Sequence, residues 1–141
     1  MANAGDRRVL QGVRVLVVED QWHIANALKS LLQAEGMEVN GPASTIANAR
    51  RLASEYKPEL AVVDLNLKGE MAYSLIDDLH DRGVRVVLLT GYAVLARLTE
   101  KVVAVLQKPC KGPELLAALL RALQGCQRLS TFHAARGPSC R

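Results

Sequence analysis

Aromatic side chains are scarce in this chain: Phe, Trp and Tyr together make up 4% of 141 residues, with one Trp and one Phe. A core must therefore be built from Leu, Val and Ala, within a hydrophobic content of 50%. Long apolar runs are missing as well. The strongest uncharged stretch, VVLLTGYAVLA from Val86, is broken by Thr90 and Gly91 and falls short of the roughly 20 residues that a membrane span requires. The opening residues MANAGDRR carry no apolar block of the kind that directs secretion. The three cysteines, Cys110, Cys126 and Cys140, have neither metal-ligand spacing nor an even count, which suits free thiols in a reducing compartment. No glycine-rich phosphate loop follows any apolar run, which disfavours nucleotide or flavin binding. These absences lead to the expectation of a soluble, cytoplasmic chain without membrane contact.

The formal charge of +4 raises the question of a nucleic-acid partner. Residues 13–125 hold 13 basic and 13 acidic side chains, so the excess belongs to the ends: Asp6, Arg7 and Arg8 on one side, Arg128, Arg136 and Arg141 on the other. A basic tail on a neutral domain reads as a solvated end. The length suits one domain. We expect a flexible N-terminal segment over 1–11, a domain over 12–125 and a basic, disordered tail over 126–141. There is no internal repeat or low-complexity region.

Short β-branched runs alternate with amphipathic stretches, the pattern of a parallel sheet covered by helices on both faces. The runs are VRVLVV (13–18), LAVV (60–63), VRVVLL (84–89) and VVAVLQ (102–107), with a weaker MEVN (37–40). This composition predicts three buried strands and two edges, because only an edge strand can leave alternate positions wet. Helical spacing links Ile24, Leu28, Leu31 and Leu32, then Ala49, Leu52, Ala53 and Tyr56 behind a Ser44 cap, then Ala72, Leu75, Ile76 and Leu79. A last helix starts around Pro113 and lines up Leu116, Leu119, Leu120 and Leu123. Leu115, Ala118 and Ala122 fall off that face, and part of them could form a docking or dimer surface. Between Gly91 and Lys101 there is room only for a brief helix over 93–99.

In an open parallel sheet, ligands bind beyond the carboxyl ends of the strands. Here the runs end in Glu19-Asp20, Asp64, Thr90-Gly91 and Lys108-Pro109. Three carboxylates brought together repel one another unless a cation joins them. Oxygen ligands without His or Cys suit Mg²⁺ better than zinc, and a lysine and a hydroxyl beside the metal can hold phosphoryl oxygens. Asp64, in the middle, is the natural nucleophile.

VVED at 17–20, VVDLNLKG at 62–69, LLTGY at 88–92 and QKP at 107–109 resemble the response-regulator receiver domains of bacterial two-component signalling over about residues 12–125. The resemblance implies a flavodoxin-like (βα)5 three-layer sandwich of strand order 2-1-3-4-5. It implies that Asp64 accepts a phosphoryl group from a histidine kinase or histidine phosphotransfer protein, with Mg²⁺ held directly by Asp20 and Asp64, through water by Glu19, and by the backbone carbonyl of Asn66. Thr90 and Lys108 would contact the phosphoryl oxygens, Gly91 would keep the mouth open, and the bond before Pro109 would be a place for a cis peptide.

Val105 stands where receivers usually carry an aromatic residue, and Thr90 and Lys108 are only 18 positions apart. Tyr92, directly after LLTG, resembles the stand-alone receivers of the FATGUY motif, with Leu88-Leu89 in place of Phe-Ala, and is expected to take over part of the switch. Trp22 opens the first helix beside Asp20, as a reporter of metal binding. His23, His80 and His133 read as surface residues.

Only about 16 residues follow Gly125, so output is expected through an unknown protein partner rather than direct DNA binding, from a monomer or weak dimer. Two alternatives stand beside this: a receiver-fold scaffold indifferent to phosphorylation, and an aspartate-nucleophile phosphohydrolase. The latter is disfavoured because Asn66 occupies the position where such enzymes carry a second acid. The expectation is a self-phosphorylating signalling domain rather than an enzyme.

Overall fold

The structure, a computed structural model, describes residues 9–91, 100–108 and 110–132, with side chains as far as residue 124. Its main elements in chain order are β1 (Arg14–Val18), α1 (Trp22–Ala34), β2 (Glu38–Ala43), α2 (Ile46–Tyr56), β3 (Leu60–Asp64), α3 (Tyr73–Asp81), β4 (Arg85–Thr90), β5 (Ala104–Gln107) and α4 (Gly112–Phe132). The five strands form one parallel sheet of order β2-β1-β3-β4-β5. This is the flavodoxin-like order expected. The brief helix expected over 93–99 lies outside the described residues.

The burial pattern follows from the sheet's two covered faces. On β1, β3 and β4 nearly every residue is buried, whereas β2 and β5 are only partly so, as edge strands must be. Side chains alternate strictly between faces. Leu16, Val18, Ala61, Val63, Val86 and Leu88 pack against α2 and α3. Val15, Val17, Leu60, Val62, Val87 and Leu89 pack on the opposite face, under α1 and α4. Burying a Leu or Val side chain contributes about 1.5–3 kcal/mol each, so the aliphatic core compensates for the shortage of rings.

Several sequence expectations shift in detail. The cap of α2 is Thr45 rather than Ser44: its Oγ1 accepts from the Asn48 N–H at 3.1 Å, because Thr45 is the last extended residue before the helix. The buried stripe of α4 is Leu115, Ala118, Leu119, Leu120 and Ala122, while Leu116 and Leu123 are only partly buried. The buried face is thus turned by about one residue from the leucine stripe and takes in Ala118 and Ala122. Leu10, expected in a flexible segment, is fully buried beneath the sheet, and Gly12 N–H bonds the Gly36 carbonyl at 2.8 Å. The backbone of α4 runs on to Phe132, beyond the expected end of the domain at residue 125. β2 continues past Asn40 to Ala43, and the cis X-Pro bond in the described chain is Gly41-Pro42. Pro109 lies outside the described residues.

One element has no counterpart in the sequence reading. Between β3 and α3 the chain forms a hairpin, Asn66–Leu67 against Glu70–Met71. The signal was present: Leu65 and Leu67 alternate with polar residues into Lys68-Gly69, and both leucines are buried.

Candidate functional site

The pairing of the strands brings their ends together. Val18 lies beside Val63, Asp64 beside Leu89 and Thr90 beside Gln107. Glu19 and Lys108 each stand one residue past a paired position, so the carboxylates, the hydroxyl and the ammonium meet at the carboxyl edge of the sheet. The ladder continues into the loops: Glu19 N–H bonds the Ala43 carbonyl at 2.9 Å, Lys108 N–H the Thr90 carbonyl at 3.1 Å and Leu65 N–H the Leu89 carbonyl at 3.0 Å. These bonds extend the strand ladder by one residue into the backbone of the site.

Glu19, Asp64 and Thr90 are buried, whereas Asp20 is partly exposed. One carboxylate oxygen from each of Glu19, Asp20 and Asp64 lies within 4.8 Å of the others. Lys108 Nζ donates to Asp64 Oδ2 at 2.9 Å and to Glu19 Oε1 at 3.3 Å. The remaining oxygens of that pair are also held. Glu19 Oε2 accepts from the Gln21 N–H and Asp64 Oδ1 from the Asn66 N–H, each at 3.2 Å.

Burial pushes the Glu19 carboxyl up to about 7; the Asp64 charge adds to this, while the Gln21 amide and the Lys108 ammonium oppose it. For Lys108, burial alone would lower the pKa, but the hydrogen bond and charge of Asp64, joined by Glu19, outweigh it and raise the value. Among the described residues the cluster is thus short of positive charge, with one ammonium facing three carboxyl groups. An oxygen-only donor set with partial access to water fits Mg²⁺, and Glu19, Asp20 and Asp64 are the side chains that could hold it.

The other predicted residues divide. Asn66 follows the acceptor by two positions and its side-chain oxygen accepts from Gly69 N–H at 2.8 Å. Among the described residues, a Cβ added at Gly91 would meet no atom within 4 Å. Val105 lies on an edge strand opposite Leu88, partly exposed. Tyr92 and Pro109 lie outside the described residues. Trp22 begins α1 with 74% of its surface exposed, its ring edge-on to His23 at 6.4 Å. Sequence reading missed the supporting backbone groups, Gln21 N–H and the Ala43 carbonyl, because a main-chain contact leaves no residue-type signal.

Among the described residues, no helix is long and apolar enough to cross a membrane. The chain is 35% identical over 83 residues to the aerobic respiration control protein ArcA of Escherichia coli (strain K12), covering 58% of this chain and 34% of that protein. It is 29% identical over 112 residues to the photosynthetic apparatus regulatory protein RegA of Rhodovulum sulfidophilum, covering 75% of this chain and 61% of RegA. The chain thus spans only about a third to three-fifths of these relatives. The crystal structure of a CheY-like response regulator receiver domain protein from Methanospirillum hungatei JF-1 superposes with a TM-score of 0.76 at 25% identity, over 84% of this chain and 98% of that one. Residues 15–120, which include every strand end of the acidic crevice, match the response regulator receiver domain, and the chain belongs to that family.

Proposed function

We propose that Asp64 accepts a phosphoryl group from a phosphohistidine of a histidine kinase or phosphotransfer protein, in a Mg²⁺-dependent reaction, and that the chain signals this state through protein contacts. The observation that carries the reading is the pairing of Lys108 Nζ with Asp64 Oδ2 inside the Glu19–Asp20–Asp64 cluster. In the transfer, a carboxylate oxygen of Asp64 attacks phosphorus. The P–N bond breaks with its electron pair returning to the imidazole nitrogen, and a P–O bond forms to give an acyl phosphate.

Positioning and charge stabilisation do most of the work in such transfers. Lys108 orients Asp64 before reaction through the bond to Oδ2 and can then pair with a phosphoryl oxygen. Thr90, buried at the end of the neighbouring strand, offers a hydroxyl to another. Bound by Glu19, Asp20, Asp64 and the Asn66 carbonyl, Mg²⁺ would neutralise the charge gathered on the transferring oxygens. That no atom among the described residues crowds the Cβ position of Gly91 supports an entry for the donor there. Asn66 supplies no carboxyl group to activate water, so the acyl phosphate is expected to turn over slowly. A cytoplasmic setting suits the free thiol of Cys110.

The test is intact mass after incubation with Mg²⁺ and acetyl phosphate. One added phosphoryl group that requires Mg²⁺ and is lost in Asp64→Asn supports the reading. No adduct, together with no binding of beryllofluoride, overturns it.

A further inference from the structure

We infer that Asn66 is a positioning residue for Asp64, acting through the hairpin that its own side chain holds closed. The inference rests on Asp64 being the phosphoacceptor and deepens that reading.

The two oxygens of Asp64 are held by different kinds of donor. Oδ2 takes a bond from Lys108 Nζ, at the end of a flexible stem, and Oδ1 takes one from the backbone N–H of Asn66. Two donors on opposite oxygens define the plane of the carboxylate. Of these, only the backbone amide is fixed by the local fold, so the orientation of the acceptor is as definite as the hairpin that begins at Asn66.

That hairpin has a demanding tip. Lys68 and Gly69 both have positive φ, 53° and 85°, as a two-residue type I′ connection requires. For a lysine this conformation is sterically unfavourable, because Cβ comes close to the following carbonyl oxygen. From below, the hairpin is secured by the buried side chain of Leu67. From within, the Asn66 side-chain oxygen accepts from Gly69 N–H at 2.8 Å. The same i to i+3 contact is made by Thr45 to Asn48 N–H at the start of α2. Asn66 therefore links tip and acceptor: its side chain closes the turn, and its amide delivers that geometry to Asp64.

The experiment compares the wild type with Asn66→Ala, Asn66→Ser and Gly69→Ala. Phosphoryl uptake from acetyl phosphate at saturating Mg²⁺ is followed by intact mass, and backbone amide exchange at positions 66 and 69 by NMR. Asn66→Ala and Gly69→Ala should exchange faster at position 66 and react roughly tenfold more slowly. Gly69→Ala acts on the backbone alone, because a Cβ there meets no atom within 4 Å. Asn66→Ser retains a short acceptor and should restore both readouts to within about twofold.

Asn66→Ala reacting at the wild-type rate despite faster exchange would overturn the inference. So would Asn66→Ser that protects the position-69 amide yet reacts as slowly as Asn66→Ala, since the side-chain amide would then act on the phosphoryl group directly. A wild type that takes no phosphoryl group at all overturns the phosphoacceptor reading, and the positioning role with it.

Discussion

The ammonium of Lys108 lies 2.9 Å from Oδ2 of Asp64 and 3.3 Å from Oε1 of Glu19. A single cation from the end of β5 thus ties together the ends of β3 and β1. Lys108→Met removes it and leaves two buried carboxyl groups facing each other. We expect a loss of about 1–3 kcal/mol in urea denaturation at neutral pH without divalent cations, part of which Mg²⁺ should recover.

The same pairing sets an alkaline limit. The pKa of Lys108 is raised in the fold, so its contribution to stability is fully present below the ordinary value of 10.5 and is lost as pH rises through the higher folded value. Above about pH 10.5 the wild type should therefore lose stability more steeply than Lys108→Met. Parallel slopes in pH-dependent denaturation would contradict this.

Trp22 is exposed and two positions from Asp20. Titration with Mg²⁺ should change its fluorescence, and EDTA should reverse the change. Asp20→Asn is expected to weaken the response by about tenfold or more in Mg²⁺ concentration. Trp22→Phe should abolish the signal while leaving metal binding by calorimetry intact.

Gly41 marks the place where β2 holds one residue more than β1 pairs with, between Leu16 and Val18. Its φ is 102°, and an added Cβ would lie 2.8 Å from both the Val17 carbonyl oxygen and the Ala43 nitrogen. Gly41→Ala should cost about 2–4 kcal/mol. Because the Ala43 carbonyl holds Glu19 N–H, it should weaken Mg²⁺ binding as well, which Gly83→Ala, at a site with open space, should not.

Burial, with the Glu114 charge adding to it, pushes the Cys110 thiol above its ordinary value of 9.0. Less thiolate is then present at neutral pH than in an unfolded chain. In Cys126→Ser/Cys140→Ser protein, iodoacetamide should label Cys110 more slowly than glutathione at pH 7.5. The rate should still be climbing above pH 9.0, and a plateau below that pH would count against the burial argument.

The alternation of apolar runs with helical periods was enough to read the sheet, its three buried strands and its two edges, because a strand buried on both faces reads as a continuous β-branched run while an edge strand leaves positions wet. The strand-end residues Glu19, Asp20, Asp64, Thr90 and Lys108 were legible for a related reason: polar or charged groups directly after a buried run lie at the edge of the layer. Their convergence followed from parallel topology alone. The likeness of four short motifs to receivers then supplied an order of strands that periodicity could not.

What only the tertiary structure decided are relationships carried by the backbone. The Ala43 carbonyl on Glu19 and the Asn66 amide on Asp64 are main-chain contacts, and a carbonyl or amide that nearly every residue carries leaves no mark in the residue type. The turned face of α4 and the burial of Leu10 likewise depend on how closely one layer approaches another. Residue types declare what must be buried and what must be charged; distances between layers and the direction of a carboxylate are settled only when the pieces pack.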